Sequence, residues 1–269
     1  MLRLDLHQKV HYTLRMAVAM CFIGHGAFGI ITKPIWCNYF AVFGIGQGLS
    51  YQLMPVAGAF DIMLGLVMLA YPVRAILVWL VLWGIATALL RPLSGEPFAE
   101  FIERAGNFGA PLAFLFVAAG SKNMRGWFTR INPAMPVDTA TLAHLGTCLK
   151  IVVSLLFLGH GWLNIVGKEA LLKQYTSVGF SNPVLVAQIV GITELAAAFI
   201  VLIKPLRPVL FALFIWKMGS ELIYPHHALF EWVERGGSYG ALLALWFITE
   251  RHPIVKFNRM HAIGNKEFN

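Results

Sequence analysis

Long apolar runs constrain this chain more than any other feature. Segments such as "PVAGAFDIMLGLVMLAYPV", "AILVWLVLWGIATALL" and "PVLVAQIVGITELAAAFIVLI" approach the roughly 20 residues needed to cross a bilayer as helix. Composition points the same way. Of 269 residues, 58% are hydrophobic and 13% are charged, whereas soluble domains carry about 25% charged residues. The expected fold class is all-α: a polytopic membrane protein. The hydropathy pattern predicts eight transmembrane helices, at about 14–32, 53–71, 74–91, 106–121, 147–166, 183–203, 207–224 and 237–250.

The opening "MLRLDLHQKVHYTLR" is polar for too long to be a cleavable leader, so the first apolar run is expected to be retained. Cys21, Cys37 and Cys148 form no CxxC pair, which leaves neither a disulfide framework nor a thiol-exchange motif. The net charge of +8 sits in short flanks without interleaved aromatics. That distribution fits membrane orientation and argues against a nucleic-acid partner.

The two halves of the chain repeat one another. His25 aligns with His160 and Lys33 with Lys168, both histidines inside a "GHG" triplet. Gly58 then meets Gly191, Asp61 meets Glu194, Arg74 meets Arg207, and Trp83 meets Trp216. Finally "EFIERAGNFGA" meets "EWVERGGSYGA". An even number of spans per half makes the halves face the same way, as in parallel-repeat membrane proteins. The expected organisation is a four-helix repeat over 1–121, a linker over 122–146, a second repeat over 147–250, and a tail over 251–269. Basic residues, among them Arg15, Arg74, Arg130, Lys204, Arg207, Arg251 and Arg259, gather on the side of the two termini. The positive-inside rule then places both termini in the cytoplasm, with the acidic loops around Glu96–Glu103 and Glu231–Glu234 outside.

The second half reads "GHGWLNIVGK", "YTSVGF", "IVGITELAAAFIVLIKPLRP" and "ERGGSYGALLAL". This pattern resembles the DoxX-like family of membrane proteins, with the first half matching more loosely. The resemblance implies two fused four-helix units in a bacterial inner membrane. It also implies redox work at the membrane, as a subunit or quinone-side partner of an oxidoreductase system, with a quinone as the cofactor to consider and oxidoreductase subunits as partners. Two further readings stay open on the residues themselves: a proton-coupled transporter or binder of small molecules or lipid, and a non-catalytic assembly factor.

Ionisable groups inside a bilayer cost roughly 2.5–3.5 kcal/mol each and need a partner or a wet cavity. Placed by depth, His25, Asp61, Trp83, Arg91, Glu103, Arg104 and Asn107 fall toward the outer side. The second half repeats this with His160, Glu194, Trp216, Glu234 and Arg235. Flanking glycines would let each histidine approach the acid of the next span, giving His25–Asp61 and His160–Glu194 pairs that clamp helices or relay protons. Haem ligation by the two histidines would need both rings to face one cavity, which makes haem an improbable cofactor. Neither His226–His227 nor His7 and His11 have a third ligand at fixed spacing, so no metal site is assigned. No nucleotide, Ser-elbow or HExxH motif is present.

The halves also differ. Gly29 corresponds to Asn164, Gly84 to Lys217, Ala88 to Glu221, and Leu93–Ser94 to His226–His227. Each exchange adds polarity to the second half. The expected site therefore lies there, lined by His160, Glu194, Lys217, Glu221 and Arg235, with Trp216 and Tyr175 as ring contacts.

Overall fold

A computed structural model describes residues 4–118, 124–225 and 228–249. His226, His227 and the tail over 251–269 lie outside the described residues, as do Lys122 and the basic residues beyond 250.

Every element described is helical. α1 (Leu6–Ile30), α3 (Gln47–Ala70), α4 (Arg74–Leu93), α8 (Thr139–Ile165) and α10 (Pro183–Ile203) are long and apolar enough to cross a membrane. The other three expected spans fall on shorter helices: α6 (Ala105–Val117), α11 (Arg207–Ser220) and α13 (Gly236–Thr249). At about 1.5 Å per residue these three span less than a 30 Å core. Each is continued by a separate piece. α5 (Ala99–Glu103) precedes α6, a 3₁₀ turn at Glu221–Ile223 follows α11, and α12 (Ala228–Glu234) precedes α13. Two short helices, α2 (Trp36–Ala41) and α9 (Glu169–Ser177), follow α1 and α8, and α7 (Met124–Trp127) lies in the linker.

Local sequence explains the helix ends. Asp5 caps α1 in a capping box with Gln8, Asp138 accepts from Thr141 N at the start of α8, and Asn182 caps α10 before Pro183. At the other end of the first pair, Arg15 donates to the carbonyls of Met68, Leu69 and Ala70, which the end of α3 leaves unsatisfied. Arg74 does the same for Ala118 and Gly126. Arg15, Arg74 and Arg130 thus share one end of the molecule, where Val73 pairs with Arg130.

The two halves do not form separate bundles. α1 packs on α3 of its own half but also on α12 and α13; α8 packs on α10 and also on α5 and α6. One apolar core runs through both halves, from Leu14 and Phe22 on α1 through Phe114 on α6 to Phe157 on α8 and Leu245 on α13. The repeats expected over 1–121 and 147–250 thus pack into one another. The physical reason lies in the GHG triplets. A Cβ at Gly24 would lie 2.5 Å from Glu234 Cα, and one at Gly159 would lie 2.7 Å from Glu103 Cα, so the first glycine of each triplet seats a helix from the opposite half. The second seats the neighbouring span: a Cβ at Gly161 would lie 2.8 Å from the Gly191 carbonyl oxygen, and one at Gly26 would lie 2.4 Å from that of Gly58. The outward faces of α3 and α10 expose Val56, Leu66, Ile192 and Ile203, a surface suited to lipid.

Candidate functional site

Each histidine of a GHG triplet sits between its two glycine contacts, with its ring turned toward the acid of the next span. His25 Nδ1 lies 2.7 Å from Asp61 Oδ2, and His160 Nδ1 lies 2.6 Å from Glu194 Oε2. Both acids are fully buried, and each would be costly without such a partner.

Beyond this shared feature the halves diverge. In the second half the side chains touching His160 and Glu194 are hydrogen-bonded. Trp216 Nε1 donates to Glu194 Oε1 at 2.8 Å. Asn164 Nδ2 donates to the His160 carbonyl at 3.1 Å, and Asn164 Oδ1 accepts from the Tyr175 hydroxyl at 2.6 Å. Lys217 pairs with Glu221 one turn on, both of them buried. His160 itself is 5% exposed. Of the residues expected to line a second-half site, Lys217 and Glu221 pair with each other, Trp216 and Tyr175 donate to groups inside the protein, and His160 is buried.

The cavity opens in the first half. It encloses about 120 Å³ beside His25 and Asp61, with Phe28, Trp36, Tyr39, Phe40, Trp83 and Leu90 as its apolar wall and Lys33, Arg91, Arg104, Asn107 and Glu234 at its polar end. That volume is close to the ~150 Å³ of an engineered cavity that holds benzene. The His25 side chain is 17% exposed, and its ring lies against Trp36 with centroids 4.8 Å apart. With Nδ1 committed to Asp61, the Nε2 edge is the one left for a ligand. A buried acid behind an accessible imidazole is the arrangement that orients a proton-transferring histidine.

Behind the cavity runs a charge network built from both halves. Arg104 holds Glu100 at 2.7 Å and Glu103 at 3.0 Å, Arg235 faces Glu103 at 3.4 Å and Glu221 at 3.8 Å, and Arg91 bridges Glu96 and Glu100. Lys33 reaches Glu231 at 2.7 Å, and Lys168 reaches Glu100 at 2.5 Å, each crossing from one half to the other. Burial works against ionising Glu103, but the guanidinium groups of Arg235 and Arg104 outweigh it and hold its carboxyl well below the usual range. Glu234 is lowered for the same reasons, burial being overcome chiefly by Arg235. Arg235 is raised against its own burial by Glu103, Glu221 and Glu234. Arg235, expected in a second-half site, lies buried at the junction of the halves and faces Glu103 and Glu221.

Trp36, Tyr39 and Phe28 line the cavity and were not legible as site residues. Trp36 and Tyr39 ride on α2, a six-residue helix in what reads as a loop. The one available signal is "YF" of the first half standing near Tyr175 of the second. Among the described residues, no cluster of His, Cys, Asp and Glu has the geometry to hold a metal ion. The chain matches no protein-family model, no curated protein and no solved structure.

Proposed function

We propose that this is an integral membrane protein of two fused DoxX-like units, eight spans in all, that binds the head ring of a quinone in the first-half cavity and serves as the quinone-side partner of a membrane oxidoreductase. The observation that carries the reading is the accessible His25, oriented by buried Asp61 and flanked by Trp36 within a ring-sized aromatic cavity. Reduction of a quinone takes two electrons and two protons. The two electrons come from a redox group on the partner; His25, oriented by Asp61, would pass one proton from Nε2 to one ring oxygen, and solvent at the cavity mouth would supply the second proton to the other oxygen and reprotonate the imidazole. Matched contacts in the two halves support the fused-repeat reading: Lys33–Glu231 mirrors Lys168–Glu100, and α1 on α12 mirrors α8 on α5.

In nanodiscs, a short-chain benzoquinone should bind the full chain saturably at micromolar concentration and quench tryptophan fluorescence. His25→Ala should weaken binding at least 10-fold, while His160→Gln should leave it within 2-fold. Absence of saturable binding, or equal losses from the two substitutions, contradicts the reading. Proton-coupled solute uptake into liposomes without quinone binding would favour a transporter instead.

The bilayer orientation is checked separately. In a background lacking Cys37 and Cys148, a cysteine at Ser181 should react with an impermeant maleimide in intact cells, and one at Met135 only after permeabilisation. Reaction at Met135 in intact cells would reverse the orientation.

A further inference from the structure

Trp83 on α4 and Trp216 on α11 occupy corresponding places but have opposite hydrogen-bond states. Trp216 Nε1 is bonded to Glu194 Oε1 at 2.8 Å. Trp83 Nε1 and Asp61 Oδ1 are both buried and neither has a partner. One methylene makes the difference. Glu194 gives one oxygen to its histidine and still reaches the indole with the other. Asp61, having given Oδ2 to His25, makes no hydrogen bond to Trp83 with Oδ1. An unsatisfied buried polar group is costly, and the first half carries two of them, which a glutamate at position 61 would pair as Glu194 pairs with Trp216. Both residues border the cavity.

We propose that Asp61 keeps this site open: too short to hold the Trp83 indole, it leaves that N–H as the donor for a carbonyl oxygen of the bound ring. The proposal rests on the quinone reading above and narrows what the cavity takes. A planar ring bearing a carbonyl acceptor meets both the Trp83 N–H and the His25 Nε2 edge, whereas a hydrocarbon chain satisfies neither. The indole is held by stacking on Trp79, with centroids 6.0 Å apart and planes 13° from parallel, and its N–H anchors it to nothing. A ring rotation can therefore turn the N–H toward a ligand without breaking a hydrogen bond. In the second half the same rotation would cost the bond to Glu194.

The test is Asp61→Glu in the full chain, in nanodiscs, read by benzoquinone titration and by the indole N–H bands in ultraviolet resonance Raman spectra. Expected are a loss of affinity of at least 10-fold and, without quinone, one additional hydrogen-bonded tryptophan. Trp83→Phe should weaken binding about 5-fold on its own and add nothing further to Asp61→Glu. Wild-type affinity in Asp61→Glu, with the new indole bond formed, overturns the proposal and leaves the quinone reading standing. If the wild-type chain binds no quinone, both fail. If Asp61→Glu does not fold, Trp83→Phe decides, and unchanged affinity there overturns the proposal.

Discussion

Substituting Gly24 by alanine should abolish the stably folded protein, and Gly159→Ala should do the same. An added methyl at Gly24 would sit 2.5 Å from the Cα of Glu234 and 2.7 Å from the Val233 carbonyl carbon. Those atoms are backbone, so no side-chain rotation relieves the clash; α12 must move off α1. Overpacking a core typically costs 1–3 kcal/mol where side chains can adjust. Here the shift also pulls Glu234 and Arg235 away from the network that neutralises them, which adds to the loss. The expected cost is above about 3 kcal/mol, seen as a collapse in monodisperse yield or a melting temperature lowered by at least about 6 °C. Gly219→Ala is the control, because nothing lies within 4 Å of a Cβ there. Near-normal melting of Gly24→Ala would mean that the two halves do not cross at the GHG triplets.

The second large effect concerns Lys217. Its side chain is fully buried and paired with Glu221, itself 1% exposed. Lys217→Met leaves that carboxylate with only Arg235, 3.8 Å away and shared with Glu103. Removing one partner of a buried pair costs about 3–5 kcal/mol, whereas replacing both by apolar groups is often neutral. Lys217→Met should therefore lower thermal stability sharply, and Lys217→Met with Glu221→Leu should recover most of it. Quinone binding by whatever fraction folds should be normal. Full stability in the single variant combined with lost binding would instead return Lys217 to a ligand site.

These contrasts show where the sequence is informative. The duplicated spacing places each histidine one span before an acid, and both pairs can be read from that alone. The acidic and basic stretches around Glu103 and Glu234 likewise mark where charge gathers. Small residues beside His25 and His160 signal close packing, but nothing in one strand of text says which helix arrives; Gly24 meets α12, more than two hundred residues away in the chain. The site's location is illegible for a related reason. Added polar groups such as Lys217, Glu221 and Asn164 read as a binding surface, while in the folded chain Lys217 pairs with Glu221 and Asn164 bonds His160 and Tyr175. The cavity is bordered by Asp61 and Ala88, where the second half carries the longer Glu194 and Glu221. It also depends on α2, whose Trp36 and Tyr39 carry no periodic signal across six residues.

The most direct measurement is photolabelling of the full chain in membranes with an azido-substituted short-chain benzoquinone, followed by peptide mapping. A ligand seated beside His25 should mark the peptides carrying Phe28, Trp36 and Tyr39, and excess unmodified benzoquinone should suppress the label. Competed label on the peptides carrying Tyr175 or Trp216, with none near Trp36, would contradict a first-half site.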